Sequence, residues 1–330
     1  MIMQGDFNAD YLIASVDYAA VIDQDVIPAL DRCREDFTVY GKDHFPLFCS
    51  LFSPDDPCGT VLVLHGFTEN TYKYSELIWS LVMNRYQVVA YDQRGHGRSG
   101  RPEGLPDPSV THVDCFENYV EDLSIVCETV LPRCCRPWSV FCHSMGGAVT
   151  ALYLEKYPET FSAACMCAPM IAPNTGTKPF LASAMCRTAC FFGRDKKYPF
   201  IMKPYSGPEE FASSCATDPA RFAWYDAVKA SRQDFWNSVP SYRWTSESIA
   251  VTDKILAPGA PESILCPVLL STAENDYSVM PIPQERFISR VPKGKHIFVK
   301  GARHEIFRSV NEVFFPWWHE NLLFLKEAQS

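Results

Sequence analysis

The chain has 330 residues, enough to bury a large core in one or two domains. It is 47% hydrophobic and 21% charged, the composition of a globular protein, and no apolar run reaches the ~18 residues that a bilayer-spanning helix needs. A formal net charge of −9 argues against a nucleic-acid partner, which would need a basic face, and weakens the case for adhesion to an anionic membrane.

The opening MIMQGDFNADYLIASVD lacks the basic end, apolar run and small-residue cleavage site of a signal peptide, so a cytoplasmic location is expected. Residues 10–34 are helix-like, with Leu12, Ile13, Val16 and Ala19 at helical spacing. The runs 36–40 and 46–52 then flank Gly41-Lys42-Asp43, which predicts an antiparallel hairpin at a sheet edge.

From there strands alternate with helices. The run 60–65 precedes a helix near 72–84, and 87–91 follows it directly. The run 138–142 leads into a helix from Ser144 to about Tyr157. The run 267–272 precedes a helix over 282–290, and 296–299 precedes a last helix near 308–326. These strands are apolar at consecutive positions, as strands covered on both faces must be, and the alternation predicts an α/β fold with a parallel, doubly wound sheet. Between about 170 and 258 the alternation stops. That segment has helix-like pieces at 181–192 and 220–236 and no convincing buried strand, and it reads as a helical insertion over the sheet.

Fourteen cysteines are scattered without a CxxC pair, so they are expected to be reduced thiols packed as small apolar residues rather than zinc ligands. Trp317-Trp318 and the flanking Phe314-Phe315 read as core-facing helix residues rather than a membrane anchor.

The chemistry is concentrated at strand ends. In Val140-Phe141-Cys142-His143-Ser144-Met145-Gly146-Gly147 a serine stands between an apolar strand and a helix, where a strained turn would lift its Oγ above the sheet. Glycine is expected two residues before such a serine, and Cys142 stands there instead; a cysteine is small enough to leave the turn possible. Leu64-His65-Gly66-Phe67 closes another buried strand. The backbone N–H groups of Phe67 and Met145 are the candidate oxyanion donors. Downstream, Asp276 and His304 each follow a strand, in the acid-then-histidine order that would complete a triad with Ser144. Glu274 is the nearest rival for the acid role. His143 reads as a neighbour supporting the turn, and Asp92 and Arg94 as braces of a tight turn after their strand.

The stretches LHGFTEN (64–70), YDQRGHGRSG (91–100), CHSMGGAVTALYLEKYP (142–158), AENDYSV (273–279) and GARHEIF (301–307) together resemble the α/β-hydrolase superfamily, and within it the bacterial lysophospholipase and monoacylglycerol lipase branch. The resemblance implies a mostly parallel eight-stranded sheet, with a core over 1–169 and 259–330 and a helical cap over 170–258, inserted before the last two strands. It also implies a serine carboxylic-ester hydrolase acting through a Ser144 acyl-enzyme on a small-molecule or lipid ester, with no metal or cofactor. Apolar cap residues such as Phe180, Leu181, Met185, Phe191 and Phe192 could line an acyl pocket or simply pack cap to core. Other readings share the scaffold: a small-ester esterase, a proline-type aminopeptidase or amidase with Glu209, Glu210 or Asp226 holding a substrate amine, acyl transfer to a non-water acceptor, or a non-catalytic binding protein.

Overall fold

The computed structural model describes residues 8–328. Among the described residues, eight strands form one sheet: β1 (Arg34–Tyr40), β2 (Pro46–Phe52), β3 (Gly59–Leu64), β4 (Tyr86–Tyr91), β5 (Trp138–His143), β6 (Ala163–Cys167), β7 (Val268–Asn275) and β8 (Gly294–Arg303). Their order is β1-β2-β4-β3-β5-β6-β7-β8. Strand β2 runs antiparallel to both β1 and β4, and every other neighbour is parallel. The chain therefore turns back at β3, which is flanked by β4 on one side and β5 on the other. In such a sheet ligands bind where the order reverses, beyond the carboxyl ends of the strands.

The strand sequences alternate between two cores. Leu62, Leu64, Val89, Tyr91, Val140 and Cys142 point to one. Val61, Val63, Val88, Ala90 and Phe141 point to the other. Helices α2 (Glu117–Val130), α3 (Met145–Lys156), α6 (Tyr242–Ile255) and α7 (Pro281–Ile288) cover the first face. Helices α1 (Ser75–Met83), α5 (Pro219–Ser231) and α8 (Asn311–Glu327) cover the second, together with the helical segment 18–32. Phe141 is enclosed by Tyr74, Trp317 and Trp318, and burying such a ring is worth about 1.5–3 kcal/mol. The tryptophans of α8 are thus core residues, as expected, with indole nitrogens donating to Ser271 and Ser80. All fourteen cysteines lie among the described residues and none is in a disulfide.

Three features depart from the sequence expectations. The helical segment starts at Tyr18, not near residue 10; Leu12 and Ile13 are buried from a loop, while Val16 is 77% exposed. Their spacing matched a helix, but the backbone passes through positive φ at Tyr11 and Asp17, which breaks one. Strand β6, helix α2 and helix α6 form where the sequence patterns predict no element. The 170–258 segment also contributes a two-residue strand, Val239–Pro240, which pairs with Val110–Thr111.

One side chain ties the ends of the chain together. Arg221 of α5 is fully buried; it donates to Glu76 of α1, to the Ile13 carbonyl, to Asp218 and to Asn311 of α8.

Candidate active site

Ser144 sits between β5 and α3 with φ 49° and ψ −117°, a backbone region that costs a non-glycine residue about 1–3 kcal/mol. The surroundings over-determine it. Its N–H donates to the Cys167 carbonyl at 3.1 Å, and its own carbonyl accepts from Gly147 at 2.8 Å and from Met170 at 2.8 Å. Strand β6, unassigned from sequence, is therefore what holds this turn from the side. A Cβ on Gly146 would stand 2.6 Å from the Leu64 carbonyl oxygen, so glycine is required there for helix and strand to approach. Cys142 is different. It lies in regular strand with its side chain fully buried in the first core, so the position tolerates a Cβ and the turn is built without a glycine there.

Ser144, His304 and Asp276 converge. The Oγ of Ser144 is 2.8 Å from Nε2 of His304, and Nδ1 of His304 is 2.7 Å from Oδ2 of Asp276. The other Asp276 oxygen accepts from the N–H groups of Ser278 and Val279, which fixes the carboxylate. Glu274, the rival acid, is exposed and accepts from Gly301 N–H instead. Burial works to lower the His304 pKa, but the Asp276 carboxylate and its hydrogen bond, helped by Glu69 and Glu305, hold it above the ordinary histidine value. Burial likewise pushes Asp276 up, and His304 and the two backbone donors outweigh it, so that carboxyl lies below its usual range.

A ring of charges that sequence reasoning did not assign lies directly beneath. Glu69 accepts from Gly66 N–H at 2.7 Å, from Tyr74, and from Lys73 at 2.8 Å, and its Oε2 is 2.9 Å from Nδ1 of His143. The Lys73 ammonium also reaches Glu305, which pairs in turn with Arg308. Burial pushes Glu305 up, yet the two cations bring it down to about 2. His143, next to the serine, faces the His304 carbonyl with its Nε2 at 3.2 Å, so the supporting place expected for it is where it lies. The signal was present: Glu69 belongs to the LHGFTEN stretch, but a lone carboxylate in a loop motif carries no role until its partners are known. Asp92 accepts from Thr71 and Arg98 N–H groups, and Arg94 pairs with Asp122, so both do brace loops.

Among the described residues, no acceptor engages the N–H of Phe67, and Met145 is the first residue of α3, where a helix leaves its N–H groups unpaired. The Phe67 ring lies against Trp244 of α6, tilted by 34° with centroids 3.9 Å apart. His65, ahead of it, accepts from Gln93 N–H, which ties the β3 end to the loop after β4.

Ser144 and His304 open into a cavity of about 560 Å³, predominantly apolar. Helix α4 (Pro179–Phe191) contributes Leu181 and Met185, and the following loop contributes Phe200, Ile201 and Met202. Of the five apolar residues considered from sequence, only Leu181 and Met185 line it; Phe180, Phe191 and Phe192 are exposed outside. Glu209, Glu210 and Asp226 are not in its wall either, and Glu209 is paired with Lys229. Among the described residues, one group of metal-ligating side chains lies close together, Cys115, Glu117 and Glu247; none lines the cavity, and Glu117 is already paired with Lys254.

Comparison with known proteins agrees with this architecture. A family model described as serine aminopeptidase, S33, matches residues 55–311. Lysophospholipase L2 of Escherichia coli (strain K12) is 30% identical over 285 residues, 83% of this chain and 82% of that protein. The monoglyceride lipase of Saccharomyces cerevisiae is 25% identical over 299 residues, 86% of this chain and 88% of its own. The crystal structure of a soluble variant of monoglyceride lipase from that yeast, in complex with a substrate analog, matches with a TM-score of 0.68 at 21% identity, over 89% of this chain and 96% of that one; this likeness speaks for the fold. The resemblance drawn from the five sequence stretches is borne out at the level of family and fold.

Proposed function

The chain belongs to the serine aminopeptidase S33 family and is a serine hydrolase of α/β-hydrolase fold, and from that premise we propose that it cleaves lipid-like monoesters, a monoacylglycerol or a lysophospholipid, through an acyl-enzyme on Ser144. The observation that carries this reading is the unbroken Ser144–His304–Asp276 hydrogen-bond chain at the base of a mainly apolar cavity.

His304 accepts the Ser144 proton at Nε2 as Oγ attacks the ester carbonyl. The developing oxyanion is met by the N–H groups of Phe67 and Met145. His304 then hands its proton to the departing alkoxide, which leaves as the alcohol. Water, deprotonated by the same imidazole, attacks the acyl-enzyme; the bond to Oγ breaks, His304 returns the proton to Oγ of Ser144, and the acid is released. Asp276 holds the imidazole in the tautomer with hydrogen on Nδ1 and stabilises the imidazolium. Residues 170–258 serve as the cap over this site, on a core formed by the described residues of 1–169 and 259–330, and the acyl chain lies along Leu181, Met185 and Met170.

The family description raises a second reading, peptide or aminoacyl-amide cleavage. It would need a free carboxylate in the cavity for the substrate amine. Among the described residues, the carboxylates in the wall are Glu69 and Glu305; both are already paired with the Lys73 ammonium, and Glu305 also with the Arg308 guanidinium. Ester cleavage is therefore favoured. The test is a panel of monoacylglycerols, lysophospholipids, p-nitrophenyl esters from acetate to palmitate, and aminoacyl amides, with Ser144→Ala alongside. Long-chain monoesters turned over by the wild type alone support the proposal; turnover of the amides alone would replace it.

A further inference from the structure

The turn that carries the Phe67 N–H is strained. Before it, the Gly66 N–H donates to Glu69 at 2.7 Å, and a Cβ on Gly66 would stand 2.9 Å from that of Ser144. After it, Thr68 has a φ of 60°, a left-handed backbone that a β-branched residue keeps only where its surroundings impose it. The Thr68 hydroxyl donates back to the Phe67 carbonyl at 2.7 Å. Among the described residues, the Phe67 N–H itself has no acceptor, so its direction must be set by other contacts of the residue.

The Phe67 side chain makes those contacts. Its ring stands edge-on to His96, of the loop after β4, at 6.1 Å between centroids. Its other contact is Trp244, tilted by 34° at 3.9 Å. Trp244 is buried and lies in the first turn of α6, where its own N–H donates to the Ser241 hydroxyl at 3.0 Å. That hydroxyl lies 2.8 Å from Nδ1 of His112, and the Ser241 N–H donates to the Thr111 carbonyl at 2.8 Å. Asn237 adds a bond to the Gly95 carbonyl, beside His96. The start of α6 is thus pinned to the same loops that back the Phe67 ring, and Trp244 is a fixed wall.

We propose that Trp244 is a positioning residue for the reaction: its indole seats the Phe67 ring and so aims the Phe67 N–H at the developing oxyanion. The cap then supplies part of the catalytic geometry as well as a wall of the cavity, in which Phe67 and Trp244 both stand with Ser144 and His304. The proposal deepens the ester-hydrolase reading and rests on it, because that reading gives the Phe67 N–H its work.

The test is a double-mutant cycle on p-nitrophenyl acetate, whose acyl group carries no chain for the cavity wall to hold. Removing an oxyanion donor outright costs about 10²–10³-fold in kcat, and misaiming one should cost roughly thirtyfold, so Trp244→Ala should lose about that factor with KM nearly unchanged. The His304–Asp276 pair is made elsewhere, so the pH midpoint should not move. Trp244→Phe keeps a ring at the contact and should recover to within about threefold of wild type. Phe67→Ala breaks the contact from the other side while keeping the N–H, and should lose a factor similar to that of Trp244→Ala. The double variant Phe67→Ala/Trp244→Ala should be no slower than either single one, because both remove the same interaction. Losses that multiply in the double variant, or a Trp244→Ala protein with wild-type kcat, would overturn the proposal. So would full activity in Phe67→Ala beside an early-melting, inactive Trp244→Ala, which would make Trp244 a packing residue only. A wild type that cleaves no ester defeats the ester reading separately. The same four proteins are then compared by the rate at which a small fluorophosphonate labels Ser144, which draws on the same donors; equal rates would overturn the role of Trp244.

Discussion

Gly146 packs against the carbonyl of Leu64 so closely that a methyl group on it would stand 2.6 Å from that oxygen. This contact joins the helix that follows Ser144 to the strand that leads to Phe67, and so couples the proposed nucleophile to one of its proposed oxyanion donors. The residue that looked anomalous in sequence, Cys142, makes no comparable demand. Cys142→Gly should keep kcat/KM within a few-fold and lower stability by about 2 kcal/mol, the cost of a glycine in a strand plus a lost buried side chain. Gly146→Ala should abolish activity or soluble expression. Thermal melts and ester hydrolysis of the two variants, side by side, check the contrast.

His304 should set the acid limb of the pH–activity profile. It must be neutral to accept the Ser144 proton, and its pKa is raised by Asp276, so activity should rise with pH through a midpoint above the ordinary histidine value of 6.5. Asp276→Asn removes the main raising influence and leaves burial, which lowers. The limb should then move to lower pH while kcat falls by roughly three to four orders of magnitude, as the imidazole loses the partner that fixes its tautomer.

Arg221 is the structural counterpart. Replacing it with Met leaves Glu76 and Asp218 buried opposite no cation, a defect of about 3–5 kcal/mol. Because the guanidinium also holds the Ile13 carbonyl, limited proteolysis of Arg221→Met should cut first within residues 8–32. Urea denaturation and mapping of the earliest cleavage would check both parts.

Leu181 governs chain length in this account. Leu181→Trp fills part of the cavity wall on α4, so palmitate esters should lose most of their kcat/KM while acetate and butyrate esters keep theirs. A p-nitrophenyl ester series reads the shift directly.

The strands legible in sequence were those rich in branched and aromatic residues, such as Thr60 to Leu64 and Gln87 to Tyr91. Strand β6, Ala163-Ala164-Cys165-Met166-Cys167, has no β-branched residue; it is a strand because it is buried between β5 and β7, which tertiary context decides. Helix α6 was obscured by polar residues such as Ser246 and Ser248, although Trp244, Val251 and Ile255 seat it in the core. The convergence of Ser144, Asp276 and His304 could be anticipated because each follows a strand of one parallel sheet, and parallel strands bring their ends to one edge. The charge ring of Glu69, Lys73, Glu305 and Arg308 could not, because it depends on two loops meeting that are more than two hundred residues apart in sequence.

If Ser144 forms a covalent acyl-enzyme, a long-chain alkyl fluorophosphonate should label it, as read by intact-protein and peptide mass spectrometry. A single adduct is expected, mapped to Ser144, absent from Ser144→Ala and slowed in Asp276→Asn. A folded wild-type protein that takes no adduct, or an adduct that persists in Ser144→Ala, would contradict it.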